Sequence, residues 1–249
     1  AWATGNDYKG ASFTDGAFTV ADMTLTKAGA FAASKANHWL WLDDNGSNNV
    51  TVINAANGTA LVATGYGPCA VAANPLTNMI YVANSGSNTV TVINGATNQT
   101  TVVAVGENPL ALVLNPITNK IYVANNGSDN VTVINGALNT AVDVPAGAGP
   151  VSVAVNQVSN KIYVVNGGDT SVTVIDGATN GTTTVAGDSG AYAVAVNPVT
   201  NLVYVTNSAA GTVTVIDEVP LSDTKVSVEI DPLPGNATVL AQPEFTGTA

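Results

Sequence analysis

The chain has 249 residues, and only 9% of them are Asp, Glu, Lys or Arg, whereas about 25% is usual for a soluble domain. Acidic residues outnumber basic ones by 17 to 6, which gives a formal net charge of −11. Every basic residue is a lysine, so the composition argues against nucleic-acid binding. No apolar run reaches the ~18 residues of a membrane helix, which argues against membrane insertion. One cysteine allows no internal disulfide.

The chain begins inside a repeated unit. Residues 1–17 align without a gap on residues 162–178, and this alignment places Trp2 on Tyr163. Residues 1–27 are therefore predicted to be a partial unit that contains its second, third and fourth β-strands. These strands are predicted at Ala1–Thr4, Lys9–Thr14 and Ala17–Leu25. The sequence begins at Ala1, without an initiator Met or a signal-type segment. We therefore expect a mature chain whose signal peptide has been removed.

Five full repeats follow over residues 28–231. The run Val-Thr-Val-Ile-Asx recurs in steps of 40, 41, 41 and 41 residues, beginning at Val50, Val90, Val131, Val172 and Val213. An aromatic residue precedes each run in the same register, at Trp41, Tyr81, Tyr122, Tyr163 and Tyr204. Each unit holds four short runs of β-branched residues between Asn, Gly and Pro turns. In the third unit the strands are predicted at Leu110–Asn115, Lys120–Asn125, Val131–Asn135 and Thr140–Val144.

Residues 232–249 are predicted to supply the strand that the N-terminal partial unit lacks. The segment Ala237, Thr238, Val239, Leu240 and Ala241, followed by Gln242-Pro243, has the pattern of a first strand and its turn. We therefore expect this segment to act either as a closing strand for its own chain or as a donor strand for a neighbouring one.

Four antiparallel strands in a unit of about 41 residues are typical of a β-propeller blade. The prediction is an all-β, six-bladed propeller of four-stranded antiparallel blades that forms a single domain over residues 1–249. One blade is composite, with strands from both ends of the chain. A solenoid is the alternative architecture, but its coils usually repeat at about 20–30 residues.

The tetrapeptides at the second strands resemble the YVTN β-propeller repeat family. Tyr204-Val205-Thr206-Asn207 carries the name-giving sequence, and close variants begin at Tyr81, Tyr122 and Tyr163. The resemblance implies a propeller fold and a secreted or surface-layer protein. It implies no particular activity, because proteins with such repeats often have none assigned.

The sequence offers few groups for catalysis. The only histidine, His38, is predicted in a turn, and the only cysteine, Cys69, lies in an apolar first strand, where a small hydrophobic residue needs no chemical role. We therefore expect that the chain is not an enzyme and binds no cofactor. A propeller lyase or hydrolase is the least favoured alternative.

Two kinds of surface site are predicted in the turns. The loop Asp43–Asn49 carries carboxylate and amide oxygens of the kind that Ca²⁺ prefers, although Asx turns that bind nothing have the same composition. Eight Asn-X-Ser/Thr sequons are candidates for glycosylation in a secreted protein. These sequons are at Asn45, Asn49, Asn57, Asn98, Asn126, Asn130, Asn180 and Asn236.

Two functions compete. The favoured one is a non-enzymatic structural protein, extracellular or on the cell surface, that assembles with itself into a layer or filament by terminal strand addition. Closure within one chain competes with strand exchange and is favoured by its higher local strand concentration. The alternative is a propeller that binds a glycan or a protein at one mouth of its channel, with Trp39, Tyr66, Tyr192 and the loop Asp43–Asn49 as the contact residues.

Overall fold

The computed structural model describes residues 8–13, 18–25, 31–34, 39–44, 48–53, 59–218 and 227–229. All regular structure in these residues is β, and they contain no helix long and apolar enough to cross a membrane. The strands form one two-stranded and five four-stranded antiparallel sheets. The four-stranded sheets follow one another in the sequence, and we number them blade 1 to blade 5.

The two-stranded sheet contains β1 (Tyr8–Phe13) and β2 (Phe18–Leu25). Blade 1 contains β3 (Phe31–Ser34), β4 (Trp39–Asp44), β5 (Asn49–Ile53) and β6 (Thr59–Ala63). Blade 2 contains β7 (Pro68–Asn74), β8 (Met79–Asn84), β9 (Thr89–Asn94) and β10 (Thr100–Ala104). Blade 3 contains β11 (Pro109–Asn115), β12 (Lys120–Asn125), β13 (Asn130–Asn135) and β14 (Thr140–Pro145).

Blade 4 contains β15 (Pro150–Asn156), β16 (Lys161–Asn166), β17 (Ser171–Asp176) and β18 (Thr182–Ala186). Blade 5 contains β19 (Ala191–Asn197), β20 (Leu202–Asn207), β21 (Thr212–Asp217) and β22 (Ser227–Glu229). The four strands predicted for the third unit are confirmed to within one residue at each end, as are the strands predicted at Lys9–Thr14 and Ala17–Leu25. The predicted strands Ala1–Thr4 and Ala237–Ala241 lie outside the described residues.

The blades pack face to face in the manner of a β-propeller. Their first strands, β3, β7, β11, β15 and β19, lie side by side in chain order, and each second strand also contacts the first strand of the next blade where it is described. Apolar side chains fill the space between consecutive blades. Between blades 2 and 3, for example, Tyr81 and Val90 of one blade pack with Leu112 and Ile121 of the next. The alternation of residues in a strand thus gives each blade two apolar faces.

An asparagine at the end of each second strand ties that strand to the third. In blade 3, Asn125 is fully buried, and its Nδ2 donates to Asn130 Oδ1 at 2.7 Å and to Thr132 Oγ1 at 2.8 Å. The same donation occurs in the other described copies, from Asn84, Asn166 and Asn207. Thr132 Oγ1 also accepts from Gly106 N at 3.2 Å. The final residue of the tetrapeptide therefore joins two strands to the linker that enters the blade.

A second set of asparagines joins one blade to the next. Asn74 donates to Asn119 at 2.8 Å, Asn115 to Asn160 at 2.8 Å, and Asn156 to Asn201 at 3.0 Å. The acceptors adopt the left-handed φ values of 51°, 55° and 57° that asparagine tolerates in turns. The ladder is incomplete at blade 1. There Ser34 holds the donor's register position, and the Oδ1 atom of Asn78 in blade 2 is buried without a partner.

Candidate functional site

The two ends of each blade differ in what they display. Because the strands alternate in direction, the turns between first and second and between third and fourth strands lie at one end, which we call the turn face. The turns between second and third strands, and the linkers that enter each blade, lie at the other end, which we call the linker face. Binding sites in propellers lie in the mouths of the channel, so both ends are candidate sites.

A β-bulge marks the start of the first strand in blades 2 to 5. Strand pairing skips one residue in each copy, namely Cys69, Leu110, Val151 or Tyr192. A bulge re-aims the side chain of the extra residue, and bulges are common beside functional sites. These positions carry a thiol, two aliphatic groups and a phenol, whereas the residues on either side of them are similar from blade to blade. Of the four, only Tyr192 was predicted as a contact residue, although the change of residue type from copy to copy marks all four positions in the sequence.

The linker face brings two of the predicted contact residues to the same end of the molecule. Tyr192 is the second residue of the first strand of blade 5, Tyr66 lies in the linker to blade 2, and each is 67% exposed. Asn48, at the end of the loop Asp43–Asn49, accepts a hydrogen bond from Gly67 N through its Oδ1 at 3.1 Å, so this end of the loop lies beside Tyr66. Trp39 does not join them, because it begins β4 at the opposite end of blade 1.

Two described acids of the linker face accept hydrogen bonds from its own linkers. Asp129 accepts from Gly149 N at 2.8 Å, and Asp169 accepts from Ala148 N at 2.7 Å. Burial opposes ionisation of Asp169, but hydrogen bonds from Ser171 and Ala148 outweigh it and hold the pKa of this carboxyl below its usual value. In the part of the chain that the structure describes, no group of three or more His, Cys, Asp or Glu residues could hold a metal ion. The predicted calcium loop lies only partly within that part.

The predicted glycosylation sites are distributed over both ends. Asn49, Asn126 and Asn130 lie at the linker face, whereas Asn98 and Asn180 lie in turns of the turn face, and all five are half-buried. Asn180 Oδ1 accepts from Lys120 Nζ at 3.3 Å. Asn45, Asn57 and Asn236 lie outside the described residues, as does His38. Glycosylation at these positions stays a prediction. Cys69 is half-buried, and its Sγ contacts Pro109 O at 3.0 Å, as expected for a packing residue.

In the part of the chain that the structure describes, blade 5 presents an apolar face that is more exposed than the equivalent faces of blades 2 to 4. Val90, Val131 and Val172, which face the next blade in blades 2 to 4, are each 0% exposed, whereas Val213 in blade 5 is 36% exposed. Thr206 is likewise exposed, while its counterparts Ala83, Ala124 and Val165 are buried. Tyr204 is only half-buried, although Tyr81, Tyr122 and Tyr163 are fully buried. We call this surface the forward face of blade 5. It has the residue pattern of a blade interface.

The seam between blades 4 and 5 differs from the others because Glu218 stands where earlier blades have Gly95, Gly136 and Gly177. The carboxylate of Glu218 accepts from Asn156 Nδ2 at 2.8 Å and from the hydroxyl of Tyr163. Burial, and then Glu218, raise the pKa of Tyr163 well above its ordinary value. Tyr122 lacks such a partner: its hydroxyl is buried and unpaired. Burial, and then the charge of Asp176, raise the pKa of Tyr122 to about 12.

This difference predicts opposite effects for two equivalent substitutions. We expect Tyr122→Phe to raise the free energy of unfolding by about 1 kcal/mol, because it removes an unpaired buried hydroxyl. We expect Tyr163→Phe to lower it by about 1 kcal/mol, because Glu218 loses a donor. Urea unfolding at pH 7 measures both.

The pKa of Tyr122 adds a pH dependence. An unfolded tyrosine ionises near pH 10.0 and Tyr122 near 12. The stability that neutral Tyr122 contributes is therefore complete below pH 10 and is lost as the pH rises from 10 to 12. Tyr122→Phe should lose less stability over that range than the parent protein. Equal losses in the two proteins would contradict the assignment.

Comparison with solved structures confirms the class of fold. The chain is similar to Kuenenia stuttgartiensis hydrazine synthase, with a TM-score of 0.67, 19% identity, and coverage of 84% of this chain and 68% of that one. It is similar to virginiamycin B lyase from Staphylococcus aureus, with a TM-score of 0.66, 12% identity, and coverage of 82% and 69%. It is also similar to a chain of a nidogen/laminin complex, with a TM-score of 0.60, 15% identity, and coverage of 76% and 75%.

The chain is a β-propeller. No family model and no curated protein sequence matches it, so the resemblance to the YVTN family is supported only at the level of the propeller fold. At 10–19% identity, the structural similarities show the fold alone.

The expectation that the chain is not an enzyme is wrong. Similar propellers include proteins named for catalysis, among them the hydrazine synthase and the virginiamycin B and streptogramin B lyases. That expectation relied on the shortage of histidine and arginine, and composition counts residues without showing which of them the blades bring together. The structural similarities in turn assign no activity, because the identity is too low.

Proposed function

We propose that the chain is a structural propeller, secreted or on the cell surface, that assembles with other copies by terminal strand addition. The observation that carries this proposal is the forward face of blade 5. Val213 and Thr206 are exposed there, at positions that are buried in blades 2 to 4. A propeller blade that lacks its neighbour leaves apolar area in water, at a cost of about 25 cal/mol per Å². Burial of this apolar area therefore favours the binding of β-strands that cover the face.

Two sources of strands compete for this face. The hairpin β1–β2 and the segment Ala237–Ala241 of the same chain would close the ring, and the same segments of a neighbouring copy would extend it. Closure within one chain benefits from an effective concentration of the order of millimolar. In a dense surface layer neighbouring copies reach comparable concentrations, and strand exchange then propagates from copy to copy.

In this proposal, terminal strand addition uses the forward face of blade 5 and makes no use of the outer strands of blades 1 to 4, although these strands carry few charges. Leu61, Val102 and Val142 lie on the outer strands β6, β10 and β14 and are 70%, 61% and 52% exposed. Soluble β proteins commonly protect such edges with lysine or other charges. Asp143 is the only charged residue within β6, β10, β14 and β18. Surface location, glycosylation of the sequons and membership of the YVTN family belong to the same proposal.

Truncation tests the proposal. The full chain and a chain ending at residue 231 should be compared by sedimentation velocity and negative-stain imaging over a range of concentrations. We expect the full chain to form higher assemblies that the truncated chain does not form, while circular dichroism shows β structure in both. A second variant, Val213→Lys, disturbs the forward face without shortening the chain, and Val102→Lys is its control. Assemblies that survive both the truncation and Val213→Lys would refute terminal strand addition.

A second function has one observation in its favour. Tyr66 and Tyr192 are both largely exposed at the linker face, and Tyr192 is a bulge residue. Exposed aromatic rings at a channel mouth suit stacking against a sugar or a partner side chain. Binding of glycans to the parent protein, and its loss in the double variant Tyr66→Ala, Tyr192→Ala, would support this function. A glycan array without hits would contradict the glycan version.

A further inference from the structure

The turn face carries aliphatic side chains at one equivalent position in four consecutive blades. Leu76, Ile117, Val158 and Val199 each occupy the third residue of the turn between first and second strands, and they are 73%, 69%, 69% and 89% exposed. Leu138, in the turn between the third and fourth strands of blade 3, is 70% exposed on the same face. The turn face thus presents an arc of exposed aliphatic groups around one end of the channel.

The fold does not require apolar residues there. The turn is held by the preceding asparagine, whose Oδ1 accepts from the backbone N–H of the aliphatic residue, as in Leu76 N to Asn74 at 2.9 Å and Ile117 N to Asn115 at 3.1 Å. The aliphatic side chain takes no part in that hydrogen bond. Blade 1 has Ala36 at the equivalent position, so the repeat also accommodates a small side chain. A repeated exposed apolar group without a role in its own turn points to contact with another surface.

The distribution of charge indicates which end of the molecule can contact a second copy of the chain. Within residues 64–218, the linker face carries Glu107, Asp129, Asp169 and Asp188 and neither lysine nor arginine. Over the same residues the turn face carries Lys120 and Lys161, together with Asp176, Asp217 and Glu218. With a net charge of −11, two copies repel each other most strongly where unbalanced acids meet. The turn face is the end at which charge is nearly balanced and apolar area is available.

We infer that two copies of the chain pack turn face against turn face through this aliphatic arc. A surface that meets its own copy gives a closed two-fold contact, in which Ile117 of one copy lies against the equivalent arc of the other. Such a pair leaves the forward face of blade 5 accessible in both copies. The contact is therefore independent of terminal strand addition and joins either two rings or two filaments.

The test compares charge placed on the arc with charge placed elsewhere. The full chain should form a dimer in sedimentation equilibrium at micromolar concentration, and the double variant Ile117→Lys, Val158→Lys should raise its dissociation constant at least tenfold. The matched control Val102→Lys, Val142→Lys places two lysines on exposed outer-strand positions and should change the constant less than twofold. Circular dichroism confirms that both variants keep the parent fold.

Three other outcomes would overturn the inference. A parent protein that stays monomeric up to about 100 μM has no such contact. A dimer that the arc variant leaves intact, or that the control weakens equally, uses another surface. If truncation at residue 231 abolishes assembly and the arc variant leaves it unchanged, the assembly is due to terminal strand addition. Loss of the dimer in the arc variant, with filaments retained, supports the inference and separates the two contacts.

Discussion

Replacing Gly177 by alanine is expected to lower the free energy of unfolding by about 2–4 kcal/mol. A Cβ at this position would lie 2.6 Å from the backbone oxygen and 2.5 Å from the Oδ1 of Asn160. The backbone oxygen cannot move away without loss, because it accepts from Gly177 N at 2.8 Å. The Oδ1 atom is equally constrained, because it accepts from Asn115 of the preceding blade at 2.8 Å. The substitution therefore disturbs both the turn and the asparagine ladder.

Gly181→Ala is the control for this prediction. Gly181 lies at the far end of the same turn, is exposed, and would bring a Cβ near only the Thr179 hydroxyl, at 3.2 Å. We expect this variant to unfold within about 0.5 kcal/mol of the parent protein. Urea unfolding followed by far-ultraviolet circular dichroism measures both variants. If the two glycine variants were equally stable, the close approach of Gly177 to Asn160 would not be a feature of the folded protein.

The sequence predicts those features of the fold that depend on the local pattern of residues. The marker Val-Thr-Val-Ile-Asx and its flanking Asn-Gly turns place the strands of blade 3 to within one residue, because strand propensity and turn chemistry act over a few residues. The alignment of the N-terminal residues also predicts the positions of β1 and β2, as the third and fourth strands of a partial unit.

Hydrogen bonds between blades were not predicted, because they depend on pairs about one repeat apart. Asn74 and Asn119 are 45 residues apart, and nothing in either turn alone shows that the two side chains meet. The bulge at Tyr192 has no local signature in a single copy and becomes visible only when the copies are compared. The exposure of Val213 depends on what covers blade 5 and not on its own strand. Glu218 joins Asn156 and Tyr163 only after blades 4 and 5 are packed.

The buried asparagine of the tetrapeptide provides the second large effect. We expect Asn125→Ala to lower the free energy of unfolding by about 2 kcal/mol. The substitution removes the donor to Asn130 Oδ1 and Thr132 Oγ1 and leaves space in a fully buried site. The loss is moderated because the Oδ1 of Asn125 has no partner in the parent protein. Thr132 Oγ1 accepts from Gly106 N, and the substitution removes the hydrogen bond from Asn125 that holds Thr132 in place. Amide exchange at Gly106 should therefore accelerate.

Asn126→Ala is the matched control, because it removes the same side chain from the adjacent residue. Asn126 is half-buried, and its Nδ2 makes a long contact of 3.4 Å with Pro150 O. We expect a change of less than about 0.5 kcal/mol and unaltered exchange at Gly106. A similar loss of stability in the two variants would show that the tetrapeptide asparagine does not connect the second strand, the third strand and the incoming linker. A selective loss at Asn125 would explain why this residue recurs in every described blade from blade 2 to blade 5.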